Sequence, residues 1–341
     1  MTNRIRLSDL AEQAGVSTAT VSRVLNGKDT VAPATRKAVL TALDLLGYER
    51  PERLRQRPGK LIGLIVPELS NPVFPTFTLD LESAMANTGY TPILCTQAPG
   101  GVTEDAYVQM LTDMHVSGIV FVSGLHADMT ANIERYRHLS DIRMPFVTIN
   151  GNHPDIDAPD FSTDDVAAVT QGVRHLVSLG HRNIGLALGP SRFIPSQEKA
   201  KGFVKAMADI LPGEPAPIVH TLFTIEGGQL AAAQLLAAGC TAIICGSDVM
   251  ALGAIRYCES IEKSVPRDVS VIGFDDSPLM AFTDPPLTTF RQPLRSMSEA
   301  ALSTLVALID QPASQPRSLT FGCELIVRKS TGAAPGTITL H

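Results

Sequence analysis

Residues 7–27 read LSDLAEQAGVSTATVSRVLNG, and the punctuation of this stretch decides how the chain begins to fold. Leu7, Leu10, Ala11 and Ala14 fall at the i, i+3, i+4, i+7 spacing of one buried helix face, which predicts a helix over 7–14. Gly15 ends it where a left-handed residue is cheapest. Ser17 is a good N-cap for a second helix over 18–26, because its hydroxyl can accept a free backbone N–H two or three residues on. Val21, Val24 and Leu25 form the inward stripe of that helix, leaving Thr18, Ala19, Ser22 and Arg23 outside. Asn26-Gly27 closes it, and a third helix starts at Pro33 and runs to Gly47. Two helices joined by a tight glycine turn make a helix-turn-helix. Arg23 is of the type that reads guanine O6 and N7, while Ser17, Thr20 and Asn26 are suited to phosphate oxygens. An ordinary helical hairpin with solvated polar residues is the plainer alternative.

Charge separates this head from the rest. Residues 1–60 carry eleven Lys or Arg against six Asp or Glu, whereas the remaining residues carry seventeen against twenty-eight. A basic head on an acidic body predicts that the head alone meets a polyanion. The segment RPERLRQRPGK at 50–60 supplies five of those cations around a single leucine, Leu54.

The 341 residues suffice for a small domain beside a large one. The longest apolar runs, such as LIGLIV at 61–66, have strand length and not the length of a membrane span. MTNRIRLSDL lacks the apolar stretch of a secretory signal, so a cytoplasmic location is expected. Five cysteines without CxxC spacing and scattered histidines predict neither disulfides nor a metal site, and no cofactor is expected.

From residue 61 the texture changes. Short apolar runs at 61–67, 91–95, 118–123, 145–150, 183–189, 242–246 and 269–275 alternate with amphipathic stretches such as 74–89 and 166–180. Such alternation predicts parallel α/β sheets with helices on both faces, and an apparent restart near 161 predicts two of them. Ligands bind such sheets beyond the carboxyl ends of the strands. Those ends are rich in Asn, Asp, Ser and Phe, which suits a polar ligand held at its edges and stacked on its face. The phenylalanines there, Phe74, Phe223 and Phe274, have the core as their commoner fate.

The head, with VAPATRKAVLTALDLLGY at 31–48, closely resembles that of LacI-type transcription regulators, whose signature is AGVS-x-x-TVSRVLNG. The runs LIGLIVPELSNPVF, HLVSLGHRNIGLALGP, TAIICGSDVMALGAI, VPRDVSVIGFDDSPL, PPLTTFRQPL and ELIVRKSTG resemble the same family, so the likeness spans residues 5 to about 332. It implies an α/β protein with a three-helix helix-turn-helix head and a periplasmic-binding-protein-like core of two parallel α/β subdomains. The boundaries would be 1–48 for the head, 49–60 for a hinge and 61–331 for the core, with a tail at 332–341. The N-subdomain would take about 61–161 and 292–320, and the C-subdomain about 162–291 and 321–331.

By the resemblance, Thr18 and Ala19, joined by Arg23, touch base edges, while Ser17, Thr20, Ser22 and Asn26 complete the DNA face. Leu54 would wedge into the minor groove with Arg55 beside it, a plain charged linker being the alternative. Thirteen residues separate Tyr48 from Ile62, about three fewer than is usual in the family. Effector contacts would come from Asn71, Phe74, Asn150, Phe193, Lys199, Phe223, Ser247, Asp275 and Gln292. Lys199 departs from the pattern, standing where the family has an effector-gripping arginine, and the two are not interchangeable at a bidentate site. Of the pair Asp275-Asp276, one ligand contact and one helix cap are expected. Arg6 and Ala32 stand where the family has capping Ser or Thr, which predicts two weaker helix starts.

The expected function is a repressor-like, sequence-specific DNA-binding regulator. It would act as a homodimer on a pseudo-palindromic operator under control of a small effector, a sugar first and a nucleoside or purine second. The absence of a leucine heptad after ELIVRKSTG favours a dimer over a tetramer. The alternative is a sugar- or nucleotide-processing enzyme with a helical appendage, against which stands the absence of a P-loop, G-x-G-x-x-G or G-x-S-x-G motif.

Overall fold

A computed structural model describes residues 6–26, 31–47, 60–86, 88–97, 100–311 and 317–336. The chain divides into two compact units, 1–59 and 60–341. The first holds α1 (Leu7–Gln13), α2 (Thr18–Leu25) and α3 (Pro33–Leu45). Gly15 turns the chain at φ +63°, a conformation costly for a residue with a Cβ. The Ser17 hydroxyl accepts from the Thr20 N–H at 3.2 Å, as an N-cap should. Leu10, Ala11, Val21, Val24, Val39, Ala42 and Leu43 form the core of this unit. Leu7, expected on the buried face, is the first residue of α1 and is 43% exposed, so the buried side of this helix is carried by Leu10 and Ala11. Neither Arg6 nor Ala32 makes a side-chain cap bond. The Asp9 carboxylate instead accepts the Arg6 N–H at 2.8 Å, which leaves α3 the more weakly started helix.

The second unit contains two six-stranded sheets. The first has the order β11-β5-β4-β3-β1-β2, built from β1 (Lys60–Val66), β2 (Tyr90–Thr96), β3 (Gly118–Val122), β4 (Phe146–Ile149), β5 (Asp160–Thr163) and β11 (Leu319–Phe321). The second has the order β12-β10-β9-β8-β6-β7, built from β6 (Ile184–Leu188), β7 (Ile218–His220), β8 (Ala242–Cys245), β9 (Ser270–Asp275), β10 (Thr288–Arg291) and β12 (Glu324–Ile326). All pairs are parallel except β10 with β12.

Strand alternation explains the layers. Ile62, Leu64 and Val66 of β1 pack with α4 (Val73–Met85) and α11 (Leu294–Asp310), whereas Ile65 faces α5 (Glu104–Asp113) and α6 (Glu134–Asp141). In the second sheet Leu186 and Leu188 face α7 (Asp165–Ser178) and α8 (Ile194–Ile210). Ala187 faces the opposite layer of α9 (Ile225–Ala237) and α10 (Asp248–Ser260). The chain crosses between the sheets after β5, again after β10, where α11 returns to cover the first sheet, and between β11 and β12. Cys95, Cys240, Cys245 and Cys258 are buried free thiols, and burial raises the pKa of each. No helix among the described residues is long and apolar enough to cross a membrane.

Candidate functional site

On α2 the inward stripe leaves Thr18, Ala19 and Arg23 exposed together with the cap Ser17 and the helix end Asn26. Thr20 and Ser22 are half-buried. The Ser17 and Thr20 hydroxyls lie 2.9 Å apart, and the Asn26 amide donates to Ser22 Oγ at 3.3 Å. Small side chains around one long cation form a face that fits close to a base edge. Leu54 and Arg55, with the rest of 48–59, lie outside the described residues.

Both sheets share one winding. In each, the first strand of the sheet lies between the second and third, so that successive crossovers go to opposite sides. The resulting switch points lie at the carboxyl ends of β1 and β3 and of β6 and β8, where open α/β sheets bind ligands. Of the seven non-glycine residues with positive φ among the described residues, His115, Arg143 and Glu262 follow helices and the other four lie at carboxyl ends of strands. Ser123 after β3 has φ 45°, Asn150 after β4 has φ 61°, and Asp275 and Asp276 at the end of β9 have φ 123° and 56°. Non-glycine residues held there cost energy and cluster at functional sites.

The structure joins three of the expected residues in a chain spanning both sheets. Asn150 Nδ2 donates to Gln292 Oε1 in a long bond of 3.5 Å, and Gln292 Nε2 donates to Asp275 Oδ1 at 2.6 Å. Asn150 Oδ1 and Asp275 Oδ2 are buried without a hydrogen-bond partner among the described residues. Burial, and then the nearby Asp248 carboxylate, hold the Asp275 carboxyl well above the usual range, with Lys199 opposing the shift. Asp248 accepts from the Ser277 N–H at 2.7 Å and from the Thr289 hydroxyl at 2.5 Å. Burial nevertheless pushes its pKa up to about 7.

The Lys199 side chain is buried and paired within the protein. Its ammonium donates to Asp165 Oδ1 at 2.8 Å and lies 3.9 Å from the Phe274 ring centroid. Phe274 itself is a core residue. Phe193 and Phe223 form a tilted pair with centroids 6.4 Å apart. The Phe223 ring lies so close over Gly189 that a Cβ there would come within 2.0 Å of it. Ser247 is buried and caps α10 by accepting from the Met250 N–H at 3.3 Å. Asn71 Oδ1 accepts from the Val73 N–H at 3.4 Å at the start of α4, and Phe74 packs against the first sheet's core. Among the described residues no hydrogen bond or ring contact links Asn71, Phe74 or Ser247 to the Asn150–Gln292–Asp275 chain.

One expectation is corrected. Asp276 caps no helix; its carboxylate accepts from Arg291 Nε at 2.7 Å and from an Arg328 amino group at 2.6 Å. A clasp at the strand ends carried no motif to announce it. The Met129 N–H donates to the Arg192 carbonyl at 2.9 Å, and Arg192 Nε donates to Asp128 Oδ2 at 2.7 Å. Thr130 holds the other Asp128 oxygen through its N–H at 2.9 Å and its hydroxyl at 2.7 Å. The clasp ties the loop after β3 of one sheet to the loop after β6 of the other.

The family described as "Bacterial regulatory proteins, lacI family" matches residues 6–51, and a "Periplasmic binding protein-like domain" matches 173–331. The chain is 54% identical over 336 residues to the HTH-type transcriptional regulator MalR of Streptomyces coelicolor, covering 97% of this chain and 98% of that protein. Among solved structures it is similar to a transcriptional regulator CelR–cellobiose complex, with a TM-score of 0.72, 28% identity, and coverage of 96% of this chain and 100% of that one. It is also similar to the lac repressor dimer bound to operator and the anti-inducer ONPF, with a TM-score of 0.69, 26% identity, and coverage of 96% and 99%. A helix-turn-helix head, two equally wound sheets and a relative of more than half identity across nearly its whole length lead to one conclusion: the chain belongs to the LacI family of DNA-binding transcriptional regulators.

Proposed function

We propose that this regulator is a repressor whose affinity for a pseudo-palindromic operator is set by a small sugar bound at the facing strand ends of the two sheets. The observation that carries the reading is the pair of buried acceptors without partners, Asn150 Oδ1 and Asp275 Oδ2. They stand on strained backbone at the ends of β4 and β9, one in each sheet. Buried polar atoms are normally paired, so two such oxygens at strand ends of the two sheets suit the hydroxyls of a polyol, which both donate and accept. The cellobiose held by the CelR regulator supports the ligand class.

Asn150, Gln292 and Asp275 would take hydroxyls, with Phe193 and Phe223 offering a wall for a sugar face. Asn71, Phe74 and Ser247 would border the site from the loop before α4 and the start of α10. Thr18, Ala19 and Arg23 would read bases while Ser17, Thr20, Ser22 and Asn26 hold phosphates. Leu54 and Arg55 would act in the minor groove, and the division into 1–48, 49–60 and 61–331 follows from these roles. One head offers few base contacts, so a twofold dimer on two half-sites is the economical arrangement. Exposed Leu222, Leu230, Leu279 and Phe282 are apolar surface that a partner subunit would cover. A sugar that prefers one arrangement of the two sheets shifts operator affinity by its differential affinity and no more.

The test selects an operator from a random duplex pool and titrates sugars into the complex, read by fluorescence anisotropy. Sugar-dependent change in operator affinity, with random duplex unaffected, supports the reading. Turnover of the sugar without any change in DNA binding sinks it.

A further inference from the structure

The effector's charge can be read from what surrounds the strand ends, and this step rests on the sugar reading above. We propose that the site selects an uncharged polyhydroxy ligand and excludes its phosphorylated form, with Lys199 acting as an internal counter-ion to Asp165 rather than as a ligand contact.

Each cation at these ends already has a carboxylate. Lys199 and Asp165 pair at 2.8 Å with both side chains more than nine-tenths buried. Arg192 bonds Asp128 at 2.7 Å and lies 4.8 Å over the Phe193 ring. Arg291 and Arg328 share Asp276 at 2.7 and 2.6 Å. By contrast, Asp248 and Asp275 are buried and make no ion pair among the described residues. The buried polar atoms left without a partner near these ends include Asn150 Oδ1, Asp275 Oδ2 and the hydroxyls of Ser196 and Ser277; none of these carries positive charge, so a phosphate brought there would meet no available counter-charge.

Two helix N-termini, those of α7 and α10, point the same way, whereas α4 and α8 start with neither a side-chain bond from the N-cap residue nor an acidic first turn. Free N–H groups at a helix start are the ordinary protein site for a phosphate. Here α7 opens with Asp164, whose side chain accepts from the Ala167 N–H at 2.9 Å, followed by the buried Asp165. Similarly, α10 opens with Ser247 on the Met250 N–H, followed by the buried Asp248. Both positive helix ends are met by the chain's own carboxylates. Lys199, held between Asp165 and the Phe274 ring, is neutralised and desolvated in place. A phosphate would have to break that pair and strand Asp165, at the cost of a buried unpaired charge. The unpartnered oxygens Asn150 Oδ1 and Asp275 Oδ2 suit hydroxyls, and a neutral sugar supplies them.

The experiment measures binding to the full-length protein by calorimetry for glucose, ribose, maltose and cellobiose, each beside its terminal phosphate, with glucosamine as the cationic member. Uridine with UMP and adenosine with AMP form a second set. The expected result is that whichever sugar binds, its phosphate binds at least about 100-fold more weakly. A phosphate that binds as tightly as its parent sugar, or glucosamine preferred tenfold over glucose, overturns the charge rule while leaving the sugar reading standing. Nucleosides binding in place of sugars, with nucleotides excluded, sinks the sugar reading and keeps the charge rule. No binding in either set removes both. Asp165→Asn uncovers the Lys199 charge and is expected to shrink the phosphate penalty about tenfold or more. Should that variant not fold, the neutral pair Asp165→Asn with Lys199→Gln is compared instead, and loss of the phosphate penalty in it would refute Lys199 as counter-ion.

Discussion

The head and the core place the side chains proposed to act in opposite surroundings. In the head, Thr18, Ala19 and Arg23 lie within six residues on one exposed face of one helix, and the buried side of that helix is ordinary apolar packing. In the core, Asn150, Lys199, Asp275 and Gln292 come from segments spread over more than a hundred residues and are half-buried or buried. A surface that reads DNA must keep its donors solvated until the phosphates arrive. A site that responds to a small molecule must hold polar groups out of water, where each unpaired atom is costly and each pairing therefore decisive. The lesson is that the head's chemistry is available residue by residue, whereas the core's exists only as a set.

Four substitutions would break or sharpen this contrast. Arg23→Ala is expected to have the largest effect, reducing preference for operator over random duplex by about 10- to 100-fold, the worth of one bidentate base contact. Competition anisotropy measures it, and an unchanged ratio would mean that the exposed face does not read sequence. Asp275→Ala is expected to leave operator affinity without sugar intact while raising about tenfold the sugar needed for half-response, as for a lost buried hydrogen bond to a charged or polar group. Wild-type sensitivity in that variant would remove Asp275 from the site. Arg192→Ala opens the clasp on Asp128. Because Arg192 is half-exposed, its ion pair is worth about 0.2–1 kcal/mol, which corresponds to up to about fivefold in sugar affinity, expressed mainly as faster dissociation. Stopped-flow release of the sugar checks this, and unchanged release would reduce the clasp to a surface contact. Ala32→Ser has the smallest expected effect, stabilising the start of α3 by about 0.5–1 kcal/mol. Hydrogen exchange of the α3 amides in the full chain would report it; no added protection would show that Pro33 alone already defines that helix start.

Much of the fold was legible because its causes are local. The turn at Gly15, the cap at Ser17 and the first helical position of Pro33 are short-range signals, and α1, α2 and α3 begin within a residue of where those signals place them. The seven strongly apolar runs of the body are all strands. The strands without such a run, β5, β7, β10, β11 and β12, are three or four residues long and carry polar residues such as Asp160, His220 and Thr288. They are extended because a neighbouring strand pairs with them, and a single segment carries no record of its neighbour. The same reason separates Asp276 from the cap expected of it. Arg291 lies fifteen residues away and Arg328 fifty-two, and only the folded sheet puts both on one carboxylate.

What the sequence by itself determined is therefore the list of elements and the chemistry each can offer: a helix with a small polar face and Arg23 on its outer side, strands ending in Asn, Asp and Phe, and Lys199 in the helix that follows β6. Periodicity, caps and turn residues act over a few positions, so they are written in the chain directly. What the tertiary structure decided is which groups are spent on one another. Asp165 meets Lys199 across 34 residues, Asp128 meets Arg192 across 64, and Gln292 reaches Asp275 and Asn150 from 17 and 142 residues away. The Asp128–Arg192 and Asn150–Gln292 contacts close only when two sheets face each other, and the Asp165–Lys199 and Gln292–Asp275 contacts only when neighbouring elements of the second sheet pack together. Charge pairing and desolvation depend on that closure, so the ligand charge proposed above rests on the fold and not on any motif.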